Sequence, residues 1–124
     1  MIYLDTHVAV WLYAGDISRL SQNAKKAVNE HSLIISPMVS LEMTYLHEIG
    51  RLNTDMPVIA AYLKEAVGLE ICSIPFGKVV DYAIKQTWTR DPFDRLIVAQ
   101  AAVTKSGLIT KDEMIRKHYK YSVW

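Results

Sequence analysis

The run Asp91-Pro92-Phe93-Asp94-Arg95 leads straight into Leu96-Ile97-Val98-Ala99-Gln100-Ala101-Ala102-Val103, and few architectures can accommodate that combination. Aspartate followed by proline is a strong helix start. The carboxylate accepts orphan N–H bonds, and proline's missing donor costs nothing at the first helical position. Asp91 is then the N-cap, Pro92 the first helical residue and Asp94 the third, with Gly107 expected to close the segment. From Leu96 to Val103 only Gln100 interrupts the apolar run, which leaves no polar face for solvent, so this helix packs inside the molecule. It carries Asp94 inward with it, and a carboxylate taken out of water requires a partner.

A chain of 124 residues, 51% hydrophobic and 22% charged, fits one domain spanning residues 1–124 with an adequate core and no second unit. No apolar run approaches the roughly 20 residues needed to cross a bilayer. Asp5 stands where a signal peptide would carry lysine, so the expected location is cytoplasmic, with no membrane partner. Cys72, the single cysteine, sits in the apolar stretch Ile71-Cys72-Ser73-Ile74 and reads as core filler, which excludes a thiolate metal site. The net charge of +1 provides no global field for nucleic acid. Its distribution is uneven, however. Residues 101–124 hold Lys105, Lys111, Arg116, Lys117 and Lys120 against Asp112 and Glu113, compatible with a phosphate-facing patch or with a solvated helix face.

Short apolar segments alternate with helical ones. Met1–Leu4, Leu33–Ile35, Glu70–Ile74, Leu108–Ile109 and Tyr121–Val123 read as strands. His7–Tyr13, Ser21–Glu30, Ser36–Gly50, Met56–Val67, Pro75–Gln86, the Asp91 segment and Asp112–His118 read as helices. This alternation predicts a three-layer α/β/α domain with a central, mainly parallel twisted sheet covered by helices on both faces. Ligand sites of such sheets gather at the carboxyl ends of the strands.

Four acids stand out against that frame. Asp5 follows the first strand and Asp112 lies three residues after Ile109, so both fall at the carboxyl edge. Projected at about 100° per residue, Leu41, Tyr45, Met38, Ile49, Leu46 and Val39 form an apolar arc with Glu42 near its middle, which predicts that Glu42 points into the core. Asp94 is the fourth. Each has a structural reading as well: Asp5 as a helix cap, Asp94 as a favourable first-turn charge, Glu42 in a buried ion pair. In the box Thr110-Lys111-Asp112-Glu113, Thr110 and Glu113 would cap and Asp112 would be free. Taken together, one shared acidic site is the more economical account. Two carboxylates about 4 Å apart repel by roughly 4 kcal/mol at an effective dielectric of 20, so such a cluster calls for a cation. Oxygen ligands without His or Cys spacing favour magnesium or manganese over zinc, and acidic sites binding such ions hydrolyse phosphodiesters. His7 reads as packing or capping, and Trp11, Trp88 and Trp124, too far apart in sequence to define a stacking platform, read as core or interface residues.

Leu4-Asp5-Thr6-His7-Val8, Ser40-Leu41-Glu42, Arg90-Asp91-Pro92-Phe93-Asp94-Arg95 and Thr110-Lys111-Asp112 resemble the PIN domain in its VapC-like toxin form. The likeness extends to Gly15-Asp16 with Leu20-Ser21, to Gly50-Arg51-Leu52 and to Val123-Trp124, and so covers essentially the whole chain. It implies a PIN-like α/β/α fold and a magnesium- or manganese-dependent endoribonuclease whose catalytic, metal-binding acids are Asp5, Glu42, Asp94 and Asp112. Thr110 matches an accompanying hydroxyl position, and Arg95 and Lys111 are candidates to contact phosphate. An RNA substrate, a cognate antitoxin and a homodimer are implied by analogy. Thr89 replaces a histidine found in many relatives, and Leu41 an aromatic residue; neither removes a ligand. A haloacid dehalogenase would need a second acid where His7 stands, and a receiver domain an aspartate after the third strand, where Ile74-Pro75 stands. The rival in a different class is a catalytically inactive PIN-like scaffold that binds RNA or protein, against which the presence of all four acids speaks.

Overall fold

The computed structural model describes residues 1–124 as five strands and seven α-helices. In chain order these are β1 (Ile2–Leu4), α1 (Thr6–Ala14), α2 (Gln22–Glu30), β2 (Leu33–Ile35), α3 (Pro37–Glu48), α4 (Met56–Val67), β3 (Glu70–Ile71), α5 (Phe76–Ala83), α6 (Pro92–Val103), β4 (Gly107–Ile109), α7 (Glu113–His118) and β5 (Ser122–Val123). A single 3-10 turn, Ile17–Arg19, joins α1 to α2 and was not expected from the sequence. The strands form one sheet in the order β3-β2-β1-β4-β5, with every pairing parallel. The predicted α/β layering is therefore correct, and the sheet is parallel throughout.

Strand order reverses between β1 and β4, because the chain builds outward through β2 and β3 on one side and continues on the other. Such a switch point leaves a crevice beyond the carboxyl ends of the two strands. Leu4 is in register with Ile109, and the N–H of Asp5 donates to the carbonyl of Ile109 at 3.0 Å, so Asp5 and Thr110 leave the sheet side by side. β1 and β2, at the centre of the sheet, are wholly buried, as all-apolar parallel strands require.

Helix α6 behaves as its sequence demands: no residue from Phe93 to Val103 is exposed, and Ile97 through Ala101 are fully buried. Gln100 is satisfied there, accepting from Ser36 Oγ at 3.1 Å and donating to Cys72 Sγ at 3.1 Å. The Tyr3 hydroxyl donates to the same sulfur at 3.1 Å, so Cys72 is core filler that also terminates a small polar chain. Burial pushes the Tyr3 phenol well above its ordinary range, keeping it the donor.

Most boundaries shift by only one or two residues from the sequence reading, and three differ by about three. β3 ends at Ile71 instead of Ile74, because β2 turns into α3 at Ser36-Pro37 and leaves residues 73–74 no strand to pair with. α5 ends at Ala83, short of Gln86, in irregular turns. Gly107 does not close α6: the left-handed turn falls on Lys105 (φ 52°), and Gly107 opens β4. Its role is close packing, since a Cβ there would meet Cδ1 of buried Ile2 at 2.9 Å.

Candidate active site

The crevice at the switch point holds a cavity of about 390 Å³ lined by Asp5, His7, Val8, Trp11, Glu42, Asp91, Asp94, Lys111 and Asp112. Five of its nine lining side chains are carboxylic acids. The only salt bridges in the molecule are Arg19 with Asp16 and Lys26 with Glu30, both on the surface, so none of these five is ion-paired. This disposes of the ion-pair reading of Glu42.

Two threonines organise the floor. Asp5 caps α1, its Oδ1 accepting from the Thr6 N–H at 2.8 Å, while its Oδ2 accepts from the Thr110 hydroxyl at 2.6 Å. The Thr6 hydroxyl in turn donates to Glu42 Oε1. Fully buried Thr6 and Thr110 thus hold two carboxylates with neutral donors and leave their negative charge uncancelled. The Thr6 contribution has no counterpart in the sequence reading, because a threonine in the first turn of a helix carries no spacing signal of its own.

Glu42 does not enter the core. The buried face of α3 is formed by Val39 and Met43, whereas Leu41, Tyr45 and Ile49 of the projected apolar arc are 54%, 47% and 46% exposed. The arc is wider than the seam that the rest of the molecule covers. Glu42 lies at its border, half-buried and turned to the cavity.

At the other wall Asp91 caps α6 as expected, its Oδ1 accepting from the N–H groups of Phe93 at 2.8 Å and Asp94 at 3.3 Å. Asp91 also lines the cavity, beyond the capping role that the sequence suggested. Asp112 differs from its expected free state. It is the N-cap of α7, with Oδ1 accepting from the Ile115 N–H at 2.9 Å, and its own N–H donates to the Thr110 hydroxyl at 3.1 Å. Thr110 therefore does not cap α7; its hydroxyl is spent on Asp5 and Asp112. Lys111 lines the cavity, but Arg95 turns away, its guanidinium donating to the carbonyls of Ala83 and Ile84 at 3.3 Å each.

The electrostatics follow from this crowding. Burial raises Asp94 to about 7, and the charges of Asp91, Asp5, Asp112 and Glu42 add to the shift. Burial also raises Asp5, against hydrogen bonds from Thr110 and Thr6 that pull the other way. Glu42 is raised for the same reason, opposed first by the Thr6 hydrogen bond. An all-oxygen donor set with unopposed charge fits a hard divalent cation. As they stand, no three acidic, histidine or cysteine side chains are grouped closely enough to grip an ion. Side-chain rotation would have to complete such a site, and the Asp94 carboxylate accepts no hydrogen bond that would resist it.

An acidic crevice at the switch point of a five-stranded parallel sheet, built on helices α1, α3, α6 and α7, is the arrangement of a PIN domain. Residues 2–121 match the PIN domain family, and the chain belongs to it. It is 32% identical over 120 residues to Ribonuclease VapC22 of Mycobacterium tuberculosis, an alignment covering 94% of this chain and 91% of that protein. The fold is similar to that of a toxin-antitoxin complex from Klebsiella pneumoniae, with a TM-score of 0.66, 18% identity and coverage of 100% of this chain and 97% of that one. It is also similar to VapBC2 from Rickettsia felis bound to a promoter DNA fragment, with a TM-score of 0.63, 17% identity and coverage of 94% and 92%.

Proposed function

We propose that this chain is a magnesium- or manganese-dependent endoribonuclease and the toxin of a toxin-antitoxin pair. The observation that carries the reading is the cavity at the switch point, where five carboxylates gather with no ion pair among them. Membership in the PIN family and the likeness to a VapC ribonuclease support it, and the catalytically inactive scaffold is not favoured. Asp5, Glu42, Asp94 and Asp112 would hold the ion. When bound, it supplies an activated water and offsets the charge that develops on the phosphate.

The chain's own residues prepare that chemistry. Thr110 and the Thr6 N–H fix Asp5, the Thr6 hydroxyl fixes Glu42, and Asp94 must lose its proton before it can ligate. Lys111 is the cation placed to meet a phosphate at the cavity. Hydrolysis leaves 5′-phosphate and 3′-hydroxyl ends. No helix is long and apolar enough to cross a membrane. The partners are a cognate antitoxin, by analogy with the toxin-antitoxin complexes of similar fold, and a second copy of the chain. Exposed Leu41, Tyr45, Ile49, Phe76 and Ile84 supply apolar surface for such contacts.

The test is cleavage of single-stranded RNA by the purified protein with magnesium or manganese and with EDTA. Cleavage is expected only with the ion, and Asp5→Asn and Asp94→Asn are each expected to reduce it at least a hundredfold. Cleavage that persists unchanged in both variants, or in EDTA, overturns the reading.

A further inference from the structure

The structure brings together rings that the sequence keeps far apart, and two of them, His7 and Trp11, line the acidic cavity. His7 and Trp11, one turn apart on α1, both line that cavity, with ring centroids 6.0 Å apart. Trp124, beyond β5, lies 6.2 Å from Trp11, with the planes inclined at 53°, as those of His7 and Trp11 are at 45°. The guanidinium of Arg19 sits 5.7 Å from the centre of the Trp11 ring. Trp11 and Trp124 pack against the hydrophobic core, as expected, and the fold also brings them together despite their separation in sequence.

An indole on the wall of a cavity whose other side chains are mostly carboxylates can neither ligate a hard cation nor carry a proton. What it offers is a flat, polarisable face. Single-stranded nucleic acid presents unstacked bases that use such faces, with cations nearby for the backbone. Lys111 within the cavity is placed for that second task, and Arg19, against the Trp11 ring and paired with Asp16, is the next nearest cation to the aromatic side chains. We propose that His7 and Trp11 form a stacking platform for a base next to the scissile phosphate, with the strand leaving over Trp124 and Arg19. His7 and Trp11 are in this sense positioning residues: they hold the substrate while the acids act. The proposal rests on the endoribonuclease reading for the identity of the strand, but its test does not depend on turnover.

A fluorescently labelled ten-residue single-stranded RNA is titrated against the protein in calcium, beside the same sugar-phosphate backbone lacking all bases. The readout is the ratio of the two affinities, which general charge effects or loss of active protein do not move. Wild type is expected to prefer the intact RNA, and Trp11→Leu is expected to lose about tenfold of that preference, the range of one base stacked on one ring. Trp11→Phe keeps most of it. His7 is exposed, so His7→Ala leaves the fold intact and decides the matter should Trp11→Leu fail to fold. A wild-type ratio near one, or a ratio unchanged in the deciding variant, overturns the proposal and leaves the rim as a protein-contact surface. Cleavage of the same RNA in magnesium is scored separately. Its absence alongside a Trp11-dependent ratio fails the endoribonuclease reading alone, and its presence without such a ratio fails only the stacking platform.

Discussion

Thr110 and Thr6 set the behaviour of the acids they touch. The Asp5 carboxylate is buried and receives only two donors, the Thr6 N–H and the Thr110 hydroxyl. Thr110→Val preserves the shape and removes a donor from a buried charge, so it should lower the unfolding free energy by about 1 to 3 kcal/mol, whereas Thr110→Ser should stay near wild type. Urea denaturation of the three proteins at neutral pH measures this. A Thr110→Val protein as stable as wild type would mean that Asp5 is already protonated or finds another donor. Thr6→Val acts on Glu42 instead. With the hydrogen bond that opposes burial gone, Glu42 should rise further, and metal-dependent cleavage should fall about tenfold with its pH profile displaced upward. A uniform loss at every pH would indicate a structural effect alone. At this scale the acids were readable in the sequence and the threonines only in part. Aspartate and glutamate announce themselves by being charged where the pattern is apolar. Thr6 sits where threonine is unremarkable, and whether Thr110 or Asp112 caps α7 depends on which one Asp5 claims, a contact spanning more than a hundred residues.

Helix α6 shows what an element reveals before folding and what it withholds. Asp91-Pro92 located its start correctly, because capping is local chemistry, and its uninterrupted apolar run correctly placed it inside. Its end was misplaced because Lys105 takes up the left-handed turn, while Gly107 is reserved for a contact with Ile2 that only the sheet creates. β3 was overextended for a related reason: strand length depends on the partner's length, which a single segment does not contain. Helix α3 misled most, since periodicity reports a wide apolar arc but not which half of it the molecule covers. The two duties of Asp91 at the head of α6 can be separated. Asparagine caps as well as aspartate, so Asp91→Asn should leave stability within about 0.5 kcal/mol of the capped helix's value while removing the charge that adds most to the burial shift of Asp94. The Asp94 carboxyl should then titrate measurably below 7, observable by carbon NMR of the metal-free protein. An unmoved Asp94 would leave burial as the whole cause of its shift.

For the whole molecule, the reversal of strand order between β1 and β4 is what turns separate caps into one site, and it makes the fold itself sensitive to proton and cation. Asp94 titrates near 7 in the folded protein and near the ordinary 3.8 when unfolded. Between those values the folded state retains a proton that the unfolded state has released, so stability must fall as pH rises across that window and level off above it. Solvent screening at the half-buried Asp94 keeps the effect well below the full Coulombic equivalent of the shift, and the raised Asp5 and Glu42 act in the same direction. In EDTA the midpoint of urea unfolding is therefore expected to be higher at pH 5 than at pH 8. Magnesium binds the deprotonated cluster and should restore stability at pH 8 far more than at pH 5. Asp94→Asn removes one member of the effect, so its curve in EDTA should be flatter and should lie above wild type at pH 8, even as cleavage is lost. A metal-free protein that gains stability from pH 5 to pH 8 would show that the carboxylates are not strained against one another. The case for a cation at their centre would then lose its physical basis.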